Sequence, residues 1–406
     1  MVATEDQSTR KTMAAMLPIV AVSGRWGKTT TARLLEAMVR AERPRLALWL
    51  DQGVWVNGRR QPGELVPWGQ AIRALAHGEL DLAIQELDAP MVNAVGLPPA
   101  TYGLAIITSF CGNDEVCLAD PRSAIEHRAQ LAVARAVHPE GALVLNADDH
   151  AVVDEGGVTI GERLYYGSSR RNPIIRAQLA NGGRAVTSSD GMIALREGRR
   201  SQPVAAVREV AISLGGAIVF QVQNALAAVA AAWQLGVPAD RIAAALRDFT
   251  STPTLLPGAC NQFTIAGATV VVDRLHDAYS ARLLMRGLRR VRGRRRRLVV
   301  LPESLPIAPA SALEIGRLMG HSFDLVITHE RAGGDPAVIE ALRAGIALNP
   351  VPPMVLAMPD EAAALDRALQ LVNRNDLALV LAADLSFVLR TLLTHRLPDL
   401  VGTPGE

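Results

Sequence analysis

One short segment of the sequence combines the residue types that bind a triphosphate. Residues 20–41 read VAVSGRWGKTTTARLLEAMVRA, so an apolar run is followed by two glycines, a lysine and three threonines. Gly24 and Gly27 allow backbone N–H groups to converge on phosphate oxygens, and a helix N-terminus adds its dipole. Lys28 offers an ammonium to the phosphates, and Thr29 offers a hydroxyl to Mg²⁺. The segment therefore predicts a nucleotide-phosphate loop between a strand and a helix.

The lysine in this segment is unusual for the chain. Lys28 and Lys11 are the only lysines among 42 basic residues. Arginine has a planar fork and does not replace the compact ammonium that such a loop requires. Val22 occupies the first glycine position of the usual G-x-x-x-x-G-K-[ST] pattern, and Gly24 follows two residues later. The alternative is a chance Gly-Lys-Thr at a strand–helix turn, which the flanking residues disfavour.

Alternating strand-like and helix-like segments must position this loop. The apolar runs LPIVAV, LDLAIQEL, YGLAIITSF and GALVLNADD alternate with helical patterns such as AIEHRAQLAVARAV. This alternation is typical of a parallel α/β sheet covered on both faces. Residues 156–219 are short alternating segments with Ser-Asp-Gly and Gly-Gly between them, which predict β-hairpins. Two helices follow, one alanine-rich and one that begins near Pro238.

A second α/β unit follows the best linker candidate in the chain. TSTPTLLPGACNQ contains two prolines, a glycine and small polar residues. After it, strand-like segments from ATVVVD to LALVLA alternate with helical patterns, which predicts a small Rossmann-like domain. We therefore predict two domains, residues 1–252 and residues 253–406.

The overall composition excludes some classes of partner and compartment. The net charge is only +2, so no strong attraction to nucleic acid or to an anionic membrane is expected. The sequence contains no signal-peptide pattern and no apolar stretch of the ~20 residues that span a bilayer, so a cytoplasmic location is expected. Cys111, Cys117 and Cys260 are expected to be reduced thiols. The arginine run at 286–297 is either a polyanion or RNA contact or, more simply, a solvated helix end.

Several segments, in order, resemble the Mur ligase family. AVSGRWGKTTT resembles the Mur ligase form of the phosphate loop, in which the first glycine is displaced. ALVLNADDHAVV, NPIIRAQLANGGRAV, QNALAAVAAAWQLGVPADRIAAALRDF and LPGACNQFTIAGATVVVDRLHDAYS are similar to the Mur-ligase-like C-terminal half of cyanophycin synthetase. The resemblance runs from Met16 to Leu389. The ATP-grasp half of cyanophycin synthetase has no counterpart in these 406 residues.

The resemblance implies a fold and a reaction. The fold is α/β: a P-loop parallel-sheet ATPase domain with a β-hairpin insertion, like the central domain of Mur ligases, and then a Rossmann-like C-terminal domain. The reaction uses ATP and Mg²⁺ to convert a carboxylate into an acyl phosphate, which an amine attacks to give an amide and ADP. A closed, dry site protects the acyl phosphate. The implied substrates are a small amino acid or a peptide, with a homo-oligomer or a partner subunit as further possibilities.

The same resemblance assigns site residues in this sequence. Lys28, Glu86 and His276 would be catalytic, and Thr29 and Glu86 would bind Mg²⁺. Asp273 and His276 match the family motif DYAHNP, which reads DRLHDA here. The family positions that would bind nucleotide are Gly24, Gly27, Lys28, Thr29, Thr30, Gln221, Asn224 and Asp273. Arg25, which is unusual inside such a loop, and Arg274 are added as replacement cations. Residues 50–70 are expected to recognise the substrate.

Two departures from the family motifs leave the activity open. The motif Asn-x-x-x-Asp-His, whose histidine is a second metal ligand, falls on TSFCGN at 108–113, and Asp114 or Glu115 would substitute only by a shift of register. Ala259 stands where an arginine is expected after Pro-Gly. Each lost stabilising group costs roughly 10²- to 10³-fold in rate. The alternative to an active ligase is therefore a catalytically impaired, ATP-binding pseudo-ligase that acts as a partner subunit.

Overall fold

The run LPIVAV forms strand β1 (Ile19–Ser23), which lies inside the larger of two sheets. The computed structural model describes residues 17–396, apart from residues 113, 276, 292–294 and 331–333. Within these residues, eleven strands form the first sheet and six strands form the second.

The first sheet is built from the first part of the chain. Its other strands are β2 (Leu46–Leu50), β3 (Gly53–Val56), β4 (Arg59–Arg60), β5 (Leu82–Glu86), β6 (Tyr102–Ile107), β7 (Val137–Asn146), β8 (Glu162–Gly167), β9 (Arg184–Thr187), β10 (Met192–Glu197) and β11 (Arg200–Ala206). The helices of this part are α1 (Lys28–Val39), α2 (Leu65–Ala76), α3 (Ala89–Val95), α4 (Glu115–Ala119), α5 (Pro121–Arg135), α6 (His150–Glu155), α7 (Pro173–Ala180), α8 (Val219–Gln234) and α9 (Ala239–Asp248).

The strands of the first sheet lie in the order β11-β10-β9-β8-β7-β6-β1-β5-β2-β3-β4. The seven strands from β9 to β2 in this order pair in parallel, and antiparallel strands extend both edges. Parallel neighbours need long crossover connections, and helices supply them here. The carboxyl ends of the parallel strands therefore share one edge, which is where sheets of this kind bind ligands.

Helices cover both faces of the first sheet. Val20 and Val22 of β1 belong to the core that α1, α8 and α9 close, whereas Ile19 and Ala21 belong to the core with α2, α3 and α5. Successive residues of a strand point to opposite faces, so a strand buried on both sides is apolar throughout. Helix α8 is alanine-rich and buried from Ala225 to Ala232, as expected for a helix that is apolar on all sides.

The second sheet is built from the last part of the chain. Its strands are β12 (Asn261–Ile265), β13 (Ala268–Asp273), β14 (Arg297–Pro302), β15 (Leu325–His329), β16 (Met354–Met358) and β17 (Leu377–Leu381). Its helices are α10 (Ala278–Leu288), α11 (Pro309–Ser322), α12 (Pro336–Ala347), α13 (Glu361–Leu371) and α14 (Leu385–Arg396). The strand order is β12-β13-β17-β14-β15-β16, parallel except for the β12–β13 pair. Helices α10 to α12 cover one face, and α13 and α14 cover the other.

The architecture confirms the predicted α/β fold, with one correction in the region predicted as hairpins. The pattern over 156–219 predicts β-hairpins throughout, but β8 pairs in parallel with both β7 and β9. Within residues 156–219, antiparallel pairing is confined to β9, β10 and β11. The segment from Val207 to Ser213 forms short 3₁₀ turns, and Leu214, Gly215 and Gly216 follow with positive φ. Such left-handed backbone cannot continue a strand.

In the sequence, the strands of the first sheet precede the predicted linker and the strands of the second sheet follow its start. Strand β11 ends at Ala206, helix α9 ends at Asp248 and β12 begins at Asn261. The division into domains at residue 252 remains a prediction. None of the helices in the described part of the chain has the length and apolarity that a membrane span needs.

Candidate functional site

The loop between β1 and α1 has a backbone that only glycine fits. Gly24 has a φ of +134° and Gly27 a φ of +80°, which are conformations that L side chains rarely adopt. A Cβ atom on Gly24 would lie 2.1 Å from the Thr108 hydroxyl, and one on Gly27 would lie 2.0 Å from Oδ1 of Asn224. The loop is therefore packed tightly between the end of β6 and helix α8.

The N-terminus of helix α1 opens toward a cavity. Gly27 is the N-cap residue, and no side chain of the described residues caps the first turn. The first N–H groups of a helix have no partners within it and carry the positive end of the helix dipole. Lys28 lines the cavity, and its ammonium has no hydrogen-bond or ion-pair partner within the described chain. These groups together suit a phosphate group.

The side chains of Thr29 and Glu86 contact each other beside the N-terminus of α1. The Thr29 hydroxyl donates to the Glu86 carboxylate, with distances of 3.0 Å to Oε1 and 2.9 Å to Oε2. The backbone N–H of Asp51 donates to Glu86 Oε2 at 3.3 Å. Burial raises the pKa of Glu86, while the charge of Lys28 and the Thr29 hydrogen bond act in the opposite direction. A hydroxyl and a carboxylate are hard oxygen ligands, so this pair fits Mg²⁺ together with phosphate oxygens.

A cavity of about 570 Å³ lies over these residues, between the two parts of the chain. Its floor is formed by residues 25–30, in the loop and the first turn of α1, and by Glu86. Leu50, Asp51 and Gln52 line one side, so part of the segment expected to recognise substrate is indeed at the cavity. Leu256 to Ala259, which precede β12, and Arg274, which follows β13, line the other side.

A smaller cavity of about 170 Å³ adjoins the first one and shares Gly27, Gly258 and Arg274 with it. Gln221, Asn224 and Asp273, which the sequence assigns to nucleotide binding, all line it. The Asn224 side chain donates to Oε1 of Gln221 at 3.1 Å, and both residues are buried. Further residues of this cavity are Trp26, Phe220, Tyr279 and Leu283, so it combines carboxamides with aromatic and aliphatic surface.

The Asp273 carboxylate is held by the linker between the sheets. Its Oδ2 accepts hydrogen bonds from the backbone N–H of Cys260 at 3.0 Å and from the Cys260 thiol at 2.9 Å. Burial raises the pKa of Asp273 to about 6. Asp273 thus fixes the turn that carries Ala259 into the cavity. His276, its companion in the DRLHDA motif, lies outside the described residues.

Arg25 is not a free cation at the phosphate position. Its guanidinium donates to the Ser123 hydroxyl at 2.8 Å and lies 3.3 Å from Asp120 and 3.7 Å from Asp277. The side chain is 8% exposed. Two carboxylates therefore balance its charge, and Arg25 connects the loop to α5 and to the start of α10. Arg25 also lines the larger cavity, so its role as a replacement cation stays a prediction.

The prediction of reduced thiols is wrong for two of the three cysteines. Cys111 and Cys117 form a disulfide with Cα atoms 5.6 Å apart, and Cys260 is a buried free thiol. The turn after β6 and the short helix α4 bring the two positions together, which a spacing of six residues does not reveal. Arg25 lies beside this bridge, because its guanidinium is 3.3 Å from the Cys117 sulfur.

Asp114, one of the two candidates to replace the second metal ligand, is bound to other groups. Asp114 caps helix α4 by accepting the Cys117 N–H at 2.8 Å and pairs with Arg282 at 2.5 Å. Glu115 is exposed. Among the described residues, no group of three or more histidine, cysteine, aspartate or glutamate side chains could hold a metal ion.

Thr108 supports the loop and is not predicted from the sequence. It is buried at the end of β6, and its hydroxyl lies 2.6 Å from the Trp26 carbonyl oxygen, to which it donates. The Thr108 carbonyl oxygen in turn accepts the Asn146 amide at 3.1 Å. The sequence feature that could have predicted this role is the position of Thr108 at the carboxyl end of a strand next to β1. Polar residues at such positions face the edge of the sheet where ligands bind.

Comparison with known proteins identifies the fold. No protein-family model matches the chain. It is 26% identical over 379 residues to cyanophycin synthetase from Synechocystis sp., and 24% identical over 384 residues to cyanophycin synthetase from Nostoc sp.. These alignments cover 91% and 93% of this chain. A solved UDP-N-acetylmuramoylalanyl-D-glutamyl-2,6-diaminopimelate–D-alanyl-D-alanyl ligase from Acinetobacter baumannii matches 95% of this chain and 76% of its own, with a TM-score of 0.63 and 17% identity. The chain has a Mur-ligase-like fold.

Other solved structures share the fold of this Mur-ligase-like chain. E. coli FolC in complex with ADP matches 95% of this chain and 91% of its own, with a TM-score of 0.64 and 16% identity. A pseudomurein peptide ligase type C from Methanothermus fervidus matches 93% of this chain and 78% of its own, with a TM-score of 0.61 and 17% identity. The chain spans less than half the length of the curated relatives it matches, 43% and 42% of the two cyanophycin synthetases.

Proposed function

We propose that this chain binds ATP with Mg²⁺ and joins a carboxylate to an amine with release of ADP. A carboxylate oxygen of the substrate attacks the γ-phosphorus of ATP, and the bond to the β-phosphate oxygen breaks. The acyl phosphate then reacts with an amine, which forms the amide bond, expels inorganic phosphate and loses a proton. The carboxylate belongs to an amino acid or a peptide in this proposal, and the protein is cytoplasmic, where it meets ATP.

The observation that carries the proposal is the pair formed by Thr29 and Glu86 beside Lys28. The hydroxyl and the carboxylate lie within 3.0 Å of each other at the open N-terminus of α1. Mg²⁺ held there would neutralise phosphate charge. Lys28 would bind the transferring phosphoryl group, because a loose transition state carries its charge on the phosphoryl oxygens. Gly24 and Gly27 would place backbone N–H groups around the phosphates.

In this proposal, the two adjoining cavities bind different parts of the ligands. The smaller one, with Gln221, Asn224 and Asp273, suits a nucleoside, since carboxamides hydrogen-bond a base and the aromatic residues pack against it. The larger one, of about 570 Å³, has room for the triphosphate and the carboxylate substrate. E. coli FolC, a structural neighbour, holds ADP in its solved complex, which supports a nucleotide in this fold.

A second candidate is an ATP-binding protein without turnover. The observation in its favour is the loop after β6, where Asp114 is bound to Arg282 and the disulfide of Cys111 occupies the position of the altered metal motif. Such a protein binds the nucleotide and acts through a partner subunit. Both candidates require ATP binding at Lys28, and they differ only in the release of ADP.

The experiment compares the effects of substituting two glutamates, Glu86 at the end of β5 and Glu79 before its start. ADP release and ATP binding are measured with Mg-ATP, a pooled panel of amino acids and short peptides, and the variants Lys28→Ala and Glu86→Gln. Glu79→Gln is the control, because Glu79 is exposed and precedes the first residue of β5, whereas Glu86 is its last residue. A ligase shows ADP release that needs both a carboxylate and an amine. We expect Glu86→Gln to lower that rate roughly 10²- to 10³-fold and Glu79→Gln to leave it unchanged.

The other outcomes are equally informative. ATP binding without ADP release, with every substrate in the panel, would select the partner-subunit candidate. Equal ATP binding by the unaltered chain and Lys28→Ala would contradict both candidates.

A further inference from the structure

Two ion pairs hold helix α10 against the first part of the chain. The Asp277 carboxylate at the N-terminus of α10 lies 3.7 Å from Nη2 of Arg25, in the phosphate loop. Arg282, on the second turn of the helix, pairs with Asp114 at 2.5 Å and also contacts Glu314 of α11. We call the two ion pairs Arg25–Asp277 and Asp114–Arg282 the α10 latch.

The α10 latch also holds the smaller cavity together. Gln221 and Asn224 of the first part line that cavity on one side, and Leu283 and Leu284 of α10 line it on the other. A movement of α10 away from the first part would therefore separate the two sides of the cavity that we propose for the nucleoside.

The Cys111–Cys117 disulfide contacts both ion pairs of the latch. Nη1 of Arg25 lies 3.3 Å from the Cys117 sulfur and 3.6 Å from the Cys111 sulfur. Asp114 lies within the ring that the disulfide closes, and its carboxylate accepts the Cys117 N–H at 2.8 Å. The disulfide therefore positions the two residues of the first part to which α10 is bound.

The helix that carries Cys117 is short and partly exposed. Helix α4 has five residues, of which Glu115, Leu118 and Ala119 are exposed. A helix with so few buried contacts opens locally at a low cost in free energy. A covalent bridge restricts such open conformations. Reduction of the disulfide is thus expected to loosen Asp114 and the contacts of Arg25.

The surroundings of the two sulfurs favour thiol–disulfide exchange. Cys117 is 6% exposed and Cys111 is fully buried, so an external thiolate reaches the Cys117 sulfur first. Cys111 then leaves as a thiolate, and Nη1 of Arg25 beside that sulfur stabilises the leaving group. The Asp120 and Asp277 carboxylates contact the other nitrogen of the guanidinium, Nη2. In the cytoplasm, where we place this chain, disulfides are usually transient or redox-sensing.

We propose that the Cys111–Cys117 pair is a redox switch that sets the nucleotide affinity of the chain through the α10 latch. The oxidised form holds the latch and the smaller cavity closed. The reduced form releases α10 and binds ATP more weakly. This regulation rests on the nucleotide site of the proposed function, whereas the closure of the latch itself requires no nucleotide.

The reductant in this proposal is a dithiol. One of its thiolates attacks the Cys117 sulfur, the S–S bond breaks and Cys111 leaves as a thiolate. The second thiolate then attacks the reductant's own sulfur in the mixed disulfide, which releases Cys117 and closes a cyclic disulfide. The dithiol is oxidised by two electrons, and the cysteine pair takes up two electrons and two protons.

The test compares the full chain before and after treatment with dithiothreitol. Titration calorimetry with Mg-ATP gives the affinity, X-ray scattering without nucleotide gives the radius of gyration, and mass spectrometry after alkylation gives the state of the bridge. We expect reduction to enlarge the radius of gyration and to weaken ATP binding roughly three- to tenfold, because only the closed fraction binds with full affinity. C111S/C117S should behave like the reduced chain under both conditions.

Two further variants separate the bridge from the ion pair. Cys260→Ser keeps the disulfide and should show the full response to dithiothreitol. Asp114→Asn still caps α4 but no longer forms the ion pair with Arg282. Its oxidised form should therefore bind ATP with an affinity between those of the oxidised and reduced unaltered chain, and its response to dithiothreitol should be smaller.

Three results would overturn the proposal. The first is a bridge that dithiothreitol reduces only after the chain unfolds, which would make it a structural cross-link. The second is an unchanged radius of gyration when the bridge is reduced. The third is a response to dithiothreitol that persists in C111S/C117S. An unaltered chain that binds no ATP would contradict the proposed function instead, and the radius of gyration would still test the latch.

Discussion

The side-chain oxygen of Asn224 lies 2.0 Å from the position that a Cβ atom on Gly27 would occupy. Helix α8 therefore limits how close the loop before α1 can come to it. The same contact positions the Asn224 carboxamide in the smaller cavity. The phosphate loop and the nucleoside cavity of the proposed site depend on one contact. A change at either residue is expected to disturb both.

The first prediction concerns Gly27→Ala. The new methyl group must displace Asn224 or the loop, so we expect the variant to lose ATP binding at least tenfold, as measured by titration calorimetry with Mg-ATP. Gly78→Ala is the matched control, because Gly78 has a φ of +72° and nothing within 4 Å of its Cβ position. Both changes cost about 1 kcal/mol of folding stability through the left-handed backbone. Equal ATP affinity in the two variants would show that the contact has no role in binding.

The second prediction concerns Arg274, which lines both cavities beside Ala259. Its backbone N–H donates to the Gly258 carbonyl oxygen at 3.2 Å, so the residue lies beside the turn where the resemblance to Mur ligases predicts an arginine. If Arg274 supplies the missing cation, Arg274→Ala lowers the rate of ADP release roughly 10²-fold and changes ATP affinity much less. Arg208→Ala, at an exposed position of the first part of the chain, is the control. An unchanged rate in Arg274→Ala would exclude this role.

The third prediction concerns the cysteines. Because Cys111 and Cys117 are bonded, the denatured chain without reductant should react with one equivalent of an alkylating reagent, at Cys260, and with three after reduction. For a loop this short, reduction lowers the free energy of unfolding by about 2 kcal/mol. Mass spectrometry counts the alkylated sites. Cys260→Ser should give none before reduction and two after it. Three reactive thiols in the unreduced chain would contradict the disulfide.

The fourth prediction concerns the pH dependence of stability. Burial raises the pKa of Asp273 from its ordinary value of 3.8 to about 6. Between these values the folded state holds more protons than the unfolded state, so the free energy of unfolding falls as the pH rises from 3.8 to about 6. One pKa unit corresponds to about 1.4 kcal/mol, which limits the fall to about 3 kcal/mol.

Asp273→Asn provides the measurement for this effect. Its amide oxygen still accepts the Cys260 N–H, but the group no longer titrates. Thermal melts at several pH values between 4 and 6.5 should show the unaltered chain losing stability relative to the variant as the pH rises. A difference in melting temperature that is constant over this range would mean that Asp273 does not titrate there.

Local patterns in the sequence were sufficient for most of the fold. Each strand–helix alternation is encoded within short windows, since apolar periodicity and glycine or proline boundaries act locally. The loop at Gly24 to Thr29 follows from the same logic, because a strand, glycines and a helix start are adjacent in the chain. Strand pairing is not local. The hairpin pattern at 156–219 therefore did not reveal that β8 lies parallel to β7 and β9.

The sequence by itself determined the residue types available to the site: one lysine in the loop, a threonine after it and a glutamate at the end of a later strand. Only the tertiary structure decided what those groups contact. It placed Thr29 against Glu86 and joined Cys111 to Cys117. It also bound Arg25 to Asp120 and Asp277, which the chain separates from it by 95 or more residues. The physical reason is that charge balance, burial and hydrogen bonding depend on distances in space, which a one-dimensional pattern does not contain.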